Sequence, residues 1–279
     1  MGHQFAAATA VTRADGGPRG GITYAAEVHD GWDIGGVANG GYLLAIAGRA
    51  IADLTGRPPM TVTAHYLNPG LPGPAEVVVE PVKAGKRLAT VTASLRRGET
   101  ELIRVLATCG EVADDGARLV DGAPPELPPY EACVADDSTS DPDAPPALGL
   151  AMPTPGLMER LGLRLRPGDD AFRFGRTTGR PEIAGWFAFR DEEPIDAVAL
   201  LLVADSFAPP IFNAGIGPSW VPTVELTVHV RATPAPGPLR CRFGSRFVAA
   251  GLLSEDGEIW DSAGTLVAES RQLALTPRT

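Results

Sequence analysis

Asn39–Leu54 reads NGGYLLAIAGRAIADL, and Ala197–Asp205 reads AVALLLVAD. A helix lying on a surface shows one apolar stripe, but AVALLLVA has no polar face, and such a segment must be enclosed on most sides. The expectation is two buried helices, over Asn39–Leu54 and about Ile195–Phe207, each wrapped by a curved antiparallel sheet.

The flanking sequence supplies that sheet. In the first half, alternating runs rich in β-branched residues cover Ile22–His29, Thr61–Asn68, Ala75–Lys83, Arg87–Arg96 and Thr100–Cys109, with Arg97-Gly98-Glu99 as a hairpin turn. The second half repeats the order with strands near Ile183–Arg190, Val221–Arg231, Pro238–Val248, Leu252–Asp261 and Thr265–Thr276, and a turn at Asp261–Gly264. At an offset of 164 residues, Thr63 falls on Thr227, His65 on His229, Gly73-Pro74 on Gly237-Pro238 and Leu102 on Leu266. An ordered internal match of this kind marks a duplicated unit. Between the halves, residues 114–155 are dense in Pro, Asp, Gly and Ser, which is linker chemistry. The expected organisation is therefore a first repeat over 1–113, a linker over 114–155 and a second repeat over 156–279.

Composition narrows the class. The chain has 279 residues, 44% hydrophobic and 21% charged, as in a folded globular protein. No apolar run reaches the roughly 18 residues of a membrane span, and Met1–Arg13 does not read as a secretory signal, so a cytoplasmic protein without a membrane partner is expected. A net charge of −10 argues against a nucleic-acid partner. Cys109, Cys133 and Cys241 lie far apart, as do the four histidines, and none shows metal-ligand spacing. No metal and no cofactor is expected.

With those residues in place, the chain resembles the acyl-CoA thioesterase II (TesB-like) family of double-hotdog enzymes. The likeness rests on GGVANGGYLLA (Gly35–Ala45), YLNPG (Tyr66–Gly70), VADSF (Val203–Phe207), PTVELTVHVR (Pro222–Arg231) and LVAESRQLAL (Leu266–Leu275). It implies an α+β double hotdog and an acyl-CoA substrate. It also implies that a water held between Asp205, Thr223 and Gln272 hydrolyses the thioester.

The residues themselves bear on this assignment. Asp205 ends an apolar helical run, where burial and the helix dipole both disfavour its charge; its alternative is a structural role before Pro209-Pro210. Gln272 shares an uncharged strand face with Leu266, Ala268, Ser270 and Ala274 and so points inward. Thr223 is opposite the Val224, Leu226, Val228, Val230 face and needs a place at the strand entrance, with Thr227 as the fallback. Asn39 can cap the first helix, leaving the Gly40 and Gly41 amides to receive an oxyanion. Two other classes compete: a hotdog enoyl-CoA hydratase or dehydratase, which needs an Asp–His pair at a helix start, and a non-catalytic acyl-CoA binding protein. Broad sheet faces also lead to an expected homo-oligomer.

Overall fold

The computed structural model describes residues 3–14, 16–111, 119–136 and 156–276. The first half contains α1 (Gln4–Ala8), β1 (Thr12–Arg13), β2 (Ile22–Val28), a small ribbon of β3 (Asp33–Ile34) and β4 (Val37–Ala38), and α2 (Gly40–Thr55). A meander follows: β5 (Pro59–Tyr66), β6 (Gly73–Ala84), β7 (Leu88–Arg97) and β8 (Thr100–Gly110). The second half contains β9 (Val134–Ala135), β10 (Arg164–Leu165), β11 (Glu182–Phe187) and α3 (Ala199–Val203). Its own meander is β12 (Thr223–Val230), β13 (Leu239–Ala249), β14 (Leu252–Trp260) and β15 (Leu266–Leu275).

One 13-stranded antiparallel sheet carries both halves, in the order β1-β2-β6-β7-β8-β5-β12-β15-β14-β13-β11-β10-β9. Around the β5–β12 seam the order of the second half mirrors that of the first, and β5 and β12 occupy matching spans at the 164-residue offset. Thr63 lies opposite Thr227 across the seam, and their hydroxyls are 2.8 Å apart. A residue that pairs with its own copy lies on the local twofold axis, so this hydrogen bond marks the axis relating the repeats. The architecture is a double hotdog.

Helix α2 follows its sequence closely. The Asn39 side chain accepts from the Tyr42 amide at 2.9 Å, and Gly56 ends the helix in the left-handed region at φ 63°. Its first three turns are buried almost all round, packed against β2 and β5–β8. Gly41 and Gly48 lie two turns apart on the face towards α3. A Cβ on Gly41 would come within 2.9 Å of the Leu201 carbonyl oxygen, and one on Gly48 within 2.8 Å of Leu201 Cδ1.

Helix α3 departs from expectation. Only Ala199–Val203 is helical, preceded by Asp196, whose carboxylate accepts from the Val198 and Ala199 amides at 3.0 and 2.7 Å. Pro209 disfavours helical geometry at Ala208, and neither Pro209 nor Pro210 has an N–H to continue the ladder. A 3-10 turn at Pro210–Ala214 takes over and packs on β11 and β13, while α3 rests on α2. The second repeat therefore has a short helix and a turn where the first has one long helix.

The end of the expected linker also takes part in the fold. Val134–Ala135 pairs with β10, the Trp186 indole donates to the Pro128 carbonyl at 2.9 Å, and Tyr130 donates to the Gly162 carbonyl at 2.7 Å. Residues 114–118 and 137–155 of that region lie outside the described residues. The three cysteines are buried and unpaired.

Candidate active site

Asp205 lies just past the end of α3, in the turn that follows it. The electrostatics that matter come from a different helix. Its Oδ2 accepts from the Gly41 amide at 2.8 Å and from Asn39 Nδ2 at 3.2 Å, and its carbonyl accepts from Asn39 Nδ2 at 2.7 Å. The carboxylate therefore sits at the N-terminus of α2, where free amides and the helix dipole favour an anion. The donors expected to face an oxyanion face this carboxylate instead. Gly40 and Gly41 allow the approach, since a Cβ on Gly40 would lie 2.8 Å from Asp205 Oδ2 and one on Gly41 would lie 2.9 Å from Asp205 Cβ.

Two opposing effects set the protonation of Asp205. Burial disfavours its charge and outweighs the help from Gly41, Asn39 and Gly40, so its pKa is raised to about 6. It is mostly ionised at neutral pH, yet basic enough to accept a proton. Its Oδ1 accepts no hydrogen bond from the described residues.

Gln272 and Thr223 form a second pair: Gln272 Nε2 donates to Thr223 Oγ1 at 2.9 Å. Strand alternation alone turns Thr223 away from the core. The β12–β15 register slips between Thr223 and Glu225, and this bulge brings Thr223 back to Gln272. Thr227 is occupied at the repeat axis. No direct hydrogen bond among the described residues joins Asp205 to Gln272 or Thr223.

Two neighbours went unnoticed in the sequence. Glu255 lies directly across from Gln272 in the β14–β15 register, and the two are only 8% and 7% exposed. Burial, then the charges of Asp205 and Asp256, push the Glu255 carboxyl well above the usual carboxylate range. A row of inward positions runs through Val79, Ala93, Val105, Ala64 and Leu226 before reaching Gln272 and Glu255. A charge on the Leu253–Ile259 face of β14 was the available signal. The other neighbour is Tyr66, whose hydroxyl is sealed from solvent without a hydrogen-bond partner among the described residues.

The polar row divides the interior. On β14 and β15, Ile259 and Ala268 belong to the large core shared by both repeats, whereas Leu253 and Ala274 belong to a smaller cluster with Leu165, Phe172, Ile183, Ile211 and Phe212. Glu255 and Gln272 lie between them. A surface groove of about 250 Å³ lies elsewhere, on the outer face of the first-repeat sheet around Val78, Thr92 and Arg104, and does not include these residues.

The fold and both halves of the sequence have counterparts among known proteins. Residues 28–110 match the acyl-CoA thioesterase N-terminal domain model and residues 131–276 match the acyl-CoA thioesterase C-terminal domain model. An uncharacterised protein of Mycobacterium tuberculosis (strain H37Rv) is 29% identical over 267 residues, covering 90% of each chain. A crystal structure assigned to thioesterase II from Thermobifida fusca has a TM-score of 0.85 at 29% identity, over 99% of this chain and 98% of that one. A hot dog fold protein from Alicyclobacillus acidocaldarius aligns over the whole of both chains with a TM-score of 0.80 at 21% identity, a likeness of fold. Two matching domain models placed in order over one duplicated sheet leave a single assignment: the chain belongs to the acyl-CoA thioesterase family of hotdog thioester hydrolases.

Proposed function

We propose that this chain hydrolyses acyl-CoA to the free acid and CoA with a water activated by Asp205 and positioned by Gln272 and Thr223. The observation that carries the reading is the Asp205 carboxylate itself. One oxygen is fixed by the α2 N-terminus, the other accepts no hydrogen bond from the described residues, and its pKa of about 6 suits a base.

In the proposed reaction, Asp205 takes a proton from water as the water oxygen attacks the thioester carbon. The tetrahedral intermediate collapses with cleavage of the C–S bond, and the departing thiolate takes the proton held by Asp205, which restores the carboxylate. The N-terminus of α2 carries Asn39-Gly40-Gly41 and Asp205 but no histidine, which favours hydrolysis over hydration of a double bond.

The test is release of free thiol across short, medium, long and aromatic acyl-CoAs, with crotonyl-CoA followed in parallel for loss of absorbance. Thiol release from any of them supports hydrolysis. Absorbance loss without thiol points to hydration, and binding without either change points to a non-catalytic module. We also infer self-association through the exposed outer sheet faces; sedimentation showing only ~29 kDa particles argues against it. Among the described residues, no helix is long and apolar enough to cross a membrane.

A further inference from the structure

The α2 amides are committed to Asp205, so they do not serve the oxygen of the thioester. Tyr66 offers a donor in the same place. It ends β5 on the face that carries Val62 and Ala64, and its hydroxyl is buried without a hydrogen-bond partner among the described residues. A Cβ placed on Gly40 would meet Asp205 Oδ2 and Tyr66 Cε1 at 2.8 Å each, and Tyr66 Cζ at 3.1 Å. The carboxylate and the phenol edge thus converge on one glycine. Buried hydroxyls in folded proteins almost always find partners, and an orphan beside a reactive carboxylate calls for an explanation.

We propose that Tyr66 is a catalytic residue whose phenolic O–H donates a hydrogen bond to the thioester carbonyl oxygen and to the oxyanion that forms there. The phenol keeps its proton throughout; only the hydrogen bond strengthens as the carbonyl oxygen gains charge. Burial, then the charges of Asp205 and Glu225, raise the Tyr66 pKa and hold it in the donor form. Base and donor thus approach the same carbonyl group from neighbouring positions, one from each repeat. This inference rests on the hydrolytic reading above, and its test separates the two.

The variant is Tyr66→Phe, which deletes the hydroxyl and keeps the ring. With an acyl-CoA that the wild type hydrolyses, kcat falls about 10²- to 10³-fold, as for loss of one oxyanion donor, while KM stays nearly constant. Its melting temperature stays level or rises, because the lost group had no partner to leave behind. Binding of two inert analogues provides a readout independent of turnover: a ketone in which CH₂ replaces the thioester sulfur, and an S-alkyl-CoA thioether lacking the carbonyl. Tyr66→Phe weakens the ketone about tenfold, as for a lost hydrogen bond to a polarised oxygen, and leaves the thioether unchanged. Undiminished kcat in the variant overturns the donor role and leaves hydrolysis standing. A wild type without thiol release, combined with selective loss of ketone binding in the variant, keeps the donor role and overturns hydrolysis. Equal effects on both analogues, or binding of neither by the wild type, overturn the donor role.

Discussion

The two repeats share a meander at one offset, yet the positions around the site differ in chemical kind. By strand register, Thr223, Glu255 and Gln272 in the second repeat correspond to Pro59, Val91 and Ala107 in the first. The first repeat fills its version with groups that bury cheaply, whereas the second accepts the desolvation of two carboxyls and an amide. The first is not idle, however. It supplies the α2 N-terminus that holds Asp205 and the Tyr66 ring beside it. Duplication has produced a division of labour, with positive helix end and phenol from one copy and acid, amide and hydroxyl from the other.

Substituting the base tests this contrast most severely. Asp205→Asn lowers kcat by about 10²- to 10⁴-fold, the range for a general base, with the fold kept by circular dichroism. The carboxyl has a folded pKa above its unfolded one, so its contribution to stability is complete below about pH 4 and is lost as pH rises through about 6. Asp205→Asn should therefore melt no lower than wild type at pH 8, despite its lost turnover; a lower melting point means that Asp205 mainly supports structure.

A matched pair of substitutions compares the repeats directly. Gln272→Ala lowers kcat about 10²-fold by releasing the proposed water's anchor, while Ala107→Gly at the corresponding position leaves turnover unchanged. Similar losses at both positions would erase the distinction drawn here.

Next comes pH. With Asp205 as the proposed base, activity requires its ionised form, so kcat/KM falls on the acid side with a midpoint near the carboxyl's pKa of about 6 and levels off above it. Asn39→Ala removes a donor that favours the charged form, so that limb moves to higher pH, and the lost helix cap costs about 1 kcal/mol by chemical denaturation. A limb that does not move places the titration on another group.

The smallest effect belongs to the axis. Thr63→Val and Thr227→Val each cost about 1 kcal/mol, and a double-mutant cycle shows coupling between them while kcat changes little. Additive effects would mean that the hydroxyl pair contributes nothing to the seam.

Much of the fold was legible because local patterns agreed with the global arrangement. Asn39, the apolar run and Gly56 delimit α2, and alternation with turn residues outlines both meanders. The short α3 was not legible from ALLLVA alone, because the Pro209-Pro210 break outweighs the apolar run's helical signal. Asp205 and Gln272 stood out as polar groups on apolar faces. Thr223 did not, since a bulge is a register event that alternation cannot register. The Asn39-Gly40-Gly41 donors were visible, but their partner lies in the other repeat. Tyr66 reads in sequence as an ordinary strand end, and only the missing partner of its hydroxyl marks it.

The hydrogen bond from Gly41 to Asp205 joins unlike places in the two repeats, the start of the long helix and the turn past the end of the short one. In an assembly of two identical chains, any contact between unlike positions occurs twice. Every buried acid would then bring a second one, with its own desolvation cost. Joining the copies in one polypeptide lifts that obligation. The fused gene can bury one such anion and leave its mate position uncharged, an arrangement closed to a strictly symmetric ancestor.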